Sequence, residues 1–257
     1  MQLHSRPSFG SLEMEYLLYF GVTLVISTLF SIGGTGSAVA LIPVLSFLGV
    51  GFDLAKAVGL FANTASTIGA SVMNALRKSI DVKHVLPFVL MSVVCSPLGA
   101  YVSTRIDVHW VKILFALFLL FSATMMFIQK KKGAFTYTKM WFMVCMGGIV
   151  GFLSGLLGIG GGAMIIPLLI YLGYDAKQTA ITVSFMIPFS TLSAFITYVY
   201  LIEIDWILLG VVAIAAALGG VLGNYIMIFK LSVEQTRKFI ALSLYLLGFK
   251  MLYTLMV

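Results

Sequence analysis

Long apolar runs separated by compact polar gaps set the pattern of this 257-residue chain. Runs at 57–76, 85–104, 111–128, 178–202, 206–229 and 239–257 come close to the length needed to cross a membrane. A hydrocarbon core about 30 Å thick takes about 20 apolar residues in a helix. The gaps hold Arg77 to Lys83, Arg105 to Lys112, Lys130-Lys131-Lys132, Glu203 with Asp205, and Lys230 to Lys238. Two further runs, 16–49 and 140–173, are each 34 residues long. As single helices they would reach about 51 Å at 1.5 Å per residue, well beyond the bilayer. Both contain glycine clusters, Gly33-Gly34-Thr35-Gly36-Ser37 and Gly158-Ile159-Gly160-Gly161-Gly162. Glycine weakens a helix by up to about 1 kcal/mol per residue. Each run is therefore expected to be two shorter helices joined at a break, the second starting at about Ala38 and Ala163. The predicted fold class is an all-α integral membrane protein.

The two halves match at one constant spacing of 124 residues, that between Gly34 and Gly158. Gly36 then falls on Gly160, Ile42-Pro43 on Ile166-Pro167, and Leu48-Gly49 on Leu172-Gly173. In the same register Ser66-Thr67 falls on Ser190-Thr191, Ile80-Asp81 on Ile204-Asp205, and Leu98-Gly99 on Leu222-Gly223. Matched Gly, Pro, Asp and Ser-Thr positions are hard to obtain by chance between apolar segments, so an internal repeat is expected. The boundaries read as a tail at 1–14, a first membrane repeat at 15–129, a basic connecting loop at 130–139, and a second repeat at 140–257. Each repeat has about four spans plus a glycine-broken or re-entrant helix.

Charge bears on orientation. If each 34-residue run crosses once, the halves are parallel, and Lys and Arg divide almost evenly between the two faces. If each is a hairpin, the halves are inverted. One face then collects Arg77, Lys78, Lys83, Lys130, Lys131, Lys132, Lys139, Lys177, Lys230, Arg237 and Lys238, against Arg6, Lys56, Arg105, Lys112 and Lys250 on the other. That asymmetry follows the positive-inside rule and favours inverted repeats with both termini extracytoplasmic.

Composition agrees with the membrane reading. The chain is 61% hydrophobic and 10% charged, with a mean hydropathy of +1.09. Soluble domains hold about 45–50% apolar and about 25% charged residues. The net charge of +7 would raise nucleic acid as a partner in a soluble protein. Here the basic residues sit in short gaps, and there is no basic tract with interleaved aromatics, so nucleic acid is not expected. Glu13 and Glu15 precede the first apolar run without an A-x-A-like site, which does not describe a signal peptide. Cys95 and Cys145 lie inside apolar runs, and His4, His84 and His109 lie outside span centres. Neither a metal site nor a cofactor is expected. Without G-x-S-x-G, Walker or metal-ligand motifs, no enzymatic activity is expected.

Candidate chemistry lies at the breaks. Backbone released from helical bonding is tolerated at membrane depth only inside protein or along a polar cavity. A helix beginning after each break points free N–H groups and a positive dipole end inward. Paired broken helices of this kind are the usual sequence pointer to a transporter's site, here one for a small anion. The candidate binding residues are Gly34, Thr35, Gly36 and Ser37 in the first break and Gly158, Gly160, Gly161 and Gly162 in the second. Asn63, Ser66 and Thr67 in one following helix, and Ser190 and Thr191 in the other, add polar groups at helical spacing. Gly151, Gly155, Gly219, Gly220 and Gly223 suit close helix packing better. Asp81 and Asp205 suit helix capping. No Lys, Arg, Asp or Glu is expected deep in a span, so an anion would be held by neutral dipoles. A passive anion channel fits that expectation as an alternative.

Gly158-Ile159-Gly160-Gly161-Gly162 followed by Ile166-Pro167 resembles the GxGGG…P signature of the TauE/SafE sulfite-exporter family, also called four-toluene-sulfonate uptake permeases. The repeated layout over about 16–255 is similar too. The resemblance implies transport of small sulfur-containing or carboxylate anions across the cytoplasmic membrane, such as sulfite, sulfoacetate and taurine-related sulfonates. A proton or sodium ion is a possible coupling partner, the bilayer a further one, and an oligomer is compatible with the resemblance. Carried over by position, the glycine motif falls on Gly158, Gly160, Gly161 and Gly162. The first half departs from it: Thr35, Ser37 and Ala38 stand opposite Ile159, Gly161 and Gly162.

Overall fold

A computed structural model describes residues 9–32, 36–76, 82–127, 140–162, 165–166, 176–229 and 233–256. Nine helices are defined among them. In chain order these are α1 (Phe9–Ile32), α2 (Ala38–Phe47), α3 (Phe52–Leu76), α4 (Val82–Arg105), α5 (Val108–Phe127), α6 (Met140–Leu157), α7 (Ala176–Leu201), α8 (Trp206–Phe229) and α9 (Val233–Met256). Six of the described helices are long and apolar enough to cross a membrane. Their outer faces carry exposed Leu17, Val25, Leu90, Val94, Leu117, Phe121, Ile196 and Ile214. A water-soluble surface does not hold so many large apolar side chains together, whereas lipid does. Trp110, Trp141 and Trp206 are exposed in the first turns of α5, α6 and α8, where an interfacial belt is expected.

Helices occupy the expected runs, with shifted ends, although those over 57–76 and 239–257 are not among the six apolar enough to span. α1 starts at Phe9, so residues 9–14 of the expected tail are helical. α9 starts at Val233 and takes in Arg237 and Lys238, which were read as a polar gap. α1 ends at Ile32 and α2 starts at Ala38, as the first break requires. Asp205 caps α8: its Oδ1 accepts from the N–H groups of Ile207 and Leu208 at 3.0 Å. Asp81 lies outside the described residues, as does most of the run after the second break.

Two close pairs frame the molecule: α4 packs along α6, and α1 along α8. Both are zipped by glycine, which lets two backbones meet. A Cβ on Gly147 would lie 2.5 Å from Phe88 O, one on Gly151 2.6 Å from the Ser92 Cα, and one on Gly155 would overlap Ser96 O. A Cβ on Gly219 would lie 2.7 Å from Leu24 O, and one on Gly223 would overlap Thr28 O. In each pair the contacting positions rise together, so the two helices run parallel. α3 and α7 instead run antiparallel: Phe61 meets Phe195, Thr64 meets Thr191 and Ser71 meets Ser184. α5 and α9 are also antiparallel, with Thr124 bonded to Tyr245 and Gly248 against Leu120. Because the contacts at Gly155 are backbone, nothing nearby can give way. Gly155→Val is expected to destabilise the protein by more than about 3 kcal/mol, since overpacking alone costs about 1–3 kcal/mol even against movable side chains. Thermal melting of purified protein checks this, and an unchanged melting temperature would refute it.

Candidate functional site

α2 opens on a buried turn. Ser37 stands at its N-cap, and the Ser37 carbonyl accepts from the N–H groups of Ala40 and Leu41. The N–H groups of Ala38 and Val39, the first two of the helix, have no partner among the described residues. The Ser37 hydroxyl is fully buried and likewise unpartnered. Gly36, before it, has φ +78°, a conformation that L side chains rarely adopt. The second break matches this one at Gly160, the counterpart of Gly36. α6 ends at Leu157, and Gly158, Gly160 and Gly161 have φ +77°, +75° and +70°. Helical bonding resumes where Gly161 O accepts from the Ile165 N–H.

Asn63, in the middle of α3, lies between the two breaks. A Cβ on Gly36 would overlap Asn63 Oδ1, and one on Gly160 would overlap Asn63 Nδ2. The Gly160 Cβ would also lie 2.6 Å from Thr191 Cγ2. Asn63 is fully buried, yet neither its Oδ1 nor its Nδ2 has a hydrogen-bond partner among the described residues. Leaving one buried polar group unpaired costs about 1–3 kcal/mol. Thr191 and Thr64 close the far side, their hydroxyls 2.7 Å apart.

The expected site residues divide accordingly. Gly36, Asn63, Gly160 and Thr191 come together, with Ser37 starting the helix beside them. Gly158 sits one step away, its place for a Cβ 2.8 Å from the stem of Lys56. Gly161 turns toward Val150 and Ile165. The Gly162 N–H donates to Gly160 O. The hydroxyls of Ser66 and Thr67 donate to Asn63 O, and that of Ser190 to Ile187 O, so they serve their own helices. The Ser66 backbone packs under Gly220 of α8. Gly34 and Thr35 lie outside the described residues.

Two residues escape the sequence reading. Thr64 is one; its only sequence signal is its place beside Asn63 and seven positions before Ser71. The other is a charge buried inside the protein near a helix end, which is a matter of packing and not of depth in a span. Lys56, in the second turn of α3, is fully buried. Its ammonium donates to Ser103 Oγ and lies 2.7 Å from Asp53 Oδ1, with the rings of Phe52 and Tyr198 at 5.2 and 5.4 Å. Position 56 directly precedes the apolar run at 57–76 and so reads as interfacial. Partners from α4 and α7 bury it.

A family model described as Sulfite exporter TauE/SafE matches residues 19–251. The chain belongs to that family. Among relatives of this TauE/SafE chain, a protein of Methanocaldococcus jannaschii named a probable membrane transporter is 31% identical over 203 residues, covering 73% of the chain and 75% of the relative. Another so named, YunE of Bacillus subtilis, is 24% identical over 239 residues, 82% and 88% of the two chains. Sulfite exporter TauE/SafE family protein 1 of Arabidopsis thaliana is 47% identical over 53 residues, 21% of this chain and 12% of that one. No solved structure matches. As a TauE/SafE protein the chain is a multi-pass membrane transporter and not an enzyme.

Proposed function

We propose that this protein is a secondary transporter of small sulfur oxyanions or organosulfonates, sulfite and sulfoacetate-like compounds foremost, held where the two helix breaks meet. One observation carries the proposal: a fully buried, unpartnered Asn63 amide stands between two left-handed glycine turns from opposite halves. The amide N–H groups and the free N–H groups opening α2 are donors, and the dipole of α2 adds positive potential. Donors gathered away from water suit an oxyanion, which accepts through every oxygen. The family description adds the sulfur chemistry. A non-sulfur carboxylate fits the same donors. The passive-channel alternative differs from this reading in one respect, the response of flux to an ion gradient.

The halves are proposed to be inverted repeats in the cytoplasmic membrane. Two features support a repeat, and a third supports its inversion. The bounds of α4 and α8, Val82–Arg105 and Trp206–Phe229, differ by the same 124 residues as the sequence matches. Helix pairing exchanges between halves: α1 takes α8 as α6 takes α4. The counterparts α3 and α7 cross antiparallel, as an axis in the membrane plane demands. Coupling to a proton or sodium gradient completes the proposal.

Flux into proteoliposomes tests it. Labelled sulfite, sulfoacetate and a plain carboxylate are offered with and without proton and sodium gradients. Saturable sulfur-anion flux that responds to one gradient is expected. Folded protein that carries none of the sulfur anions overturns the substrate assignment.

A further inference from the structure

Lys56 is the only charged side chain buried among the described residues. It precedes Asn63 by seven residues on α3, which is nearly two full turns, so the two share a face about 10 Å apart. Its stem touches the place where a Cβ on Gly158 would sit, and Gly158 opens the second break. Its only carboxylate partner among the described residues is Asp53, three residues earlier and about one-third exposed. An ammonium with no access to water is costly to hold unless it is paired. Asp53 is partly exposed, while the stem of Lys56 packs beside Gly158. Position 180, the counterpart of 56 in the second half, is alanine.

We propose that Lys56 is a second, charged station on the anion path, lying between the breaks and the membrane face where α3 begins, and that Asp53 masks it until an anion takes its place. The proposal rests on the anion-transport reading above. The donors around Asn63 are neutral and hold a solute weakly enough to release it. The ammonium supplies attraction that scales with the solute's charge. Even for an anion held beside Asn63, about two helical turns away, one unit of charge at an effective dielectric of about 20 discriminates between a dianion and a monoanion by up to roughly tenfold. Asp53 cancels most of that attraction at rest, which prevents the solute from being trapped. When the anion reaches the ammonium, the carboxylate is released toward water, where its solvation is strong. Ser103 Oγ keeps the lysine head in place throughout the exchange.

Competition against labelled sulfite flux in proteoliposomes tests the assignment, using sulfate and methanesulfonate, which share a shape and differ by one charge. The quantity read is the ratio of their inhibition constants. Unmasking in Asp53→Asn is expected to move the ratio up to tenfold toward sulfate. Lys56→Met is expected to move it about as far the other way, and Lys56→Arg to stay near wild type. A merely structural lysine would weaken both competitors alike and leave the ratio still. Ratios within about twofold of wild type in both Asp53→Asn and Lys56→Met overturn the proposal while leaving the substrate reading intact. If Lys56→Met does not fold, Asp53→Asn decides alone. Wild-type protein without sulfite flux overturns the substrate reading, and this proposal with it.

Discussion

Asn63→Leu will cut the transport efficiency for sulfur anions by roughly a hundredfold and leave the protein as stable as before. The first half follows from the donors removed. A hydrogen bond to a charged group contributes about 1.5–3 kcal/mol. Losing both amide N–H groups therefore removes at least about 3 kcal/mol, or about a hundredfold at 1.4 kcal/mol per decade. The second half follows from burial. The amide has no protein partner to lose, and leucine keeps its branched shape, so removal of an unpaired polar group offsets the added bulk of two methyls. A residue that merely held helices together would behave in the opposite way, losing stability first. Flux kinetics and a melting curve on the same preparation separate the two. Flux within about threefold of wild type would remove Asn63 from the binding site.

Gly160→Ala will damage both folding and transport. The backbone there is left-handed, at φ +75°, which costs an L residue about 1–2 kcal/mol. The new methyl would overlap Asn63 Nδ2 and press on Thr191, adding about 1–3 kcal/mol of overpacking. The sum corresponds to a melting temperature lower by roughly 5–15 °C. Gly161→Ala is the control. It shares the left-handed backbone, at φ +70°, but its methyl would find Val150 Cγ1 at 3.0 Å and no site residue. It should cost less stability and spare affinity for the anion. Equal loss of affinity in both variants would show that strain, not crowding of Asn63, governs the site.

Much of the architecture was legible because lipid imposes a strict rule on the sequence. Apolar length reports a span, and glycine clusters inside over-long runs report a break. Both breaks fell where Gly36 and Gly158 to Gly161 leave the helical region. The polar residues were harder to assign. Ser66, Thr67 and Ser190 recur at three- and four-residue spacing, but that same spacing lets a hydroxyl bond the carbonyl one turn back, as all three do. Spacing along one helix cannot distinguish a hydroxyl turned to its own backbone from one turned to a solute. Lys56 was missed for a related reason. Its burial is created by Ser103 and Tyr198, which are far away in sequence. Helix ends at Phe9 and Val233 ran past the apolar runs because helical bonding continues through polar residues at the interface.

The glycine zippers constrain how such a molecule could change shape. Each locks a helix from one half of the chain to a helix from the other, and Gly220 ties α3 to α8 as well. The boundary between the two halves is therefore not the seam of motion. Any rearrangement that preserves these backbone contacts must carry α1 with α8 and α4 with α6 as mixed blocks. Slippage is left to the antiparallel crossings, α3 over α7 and α5 over α9, where hydroxyls and aromatic rings meet instead of main chains. The hinge of an alternating cycle would then pass directly beside Asn63.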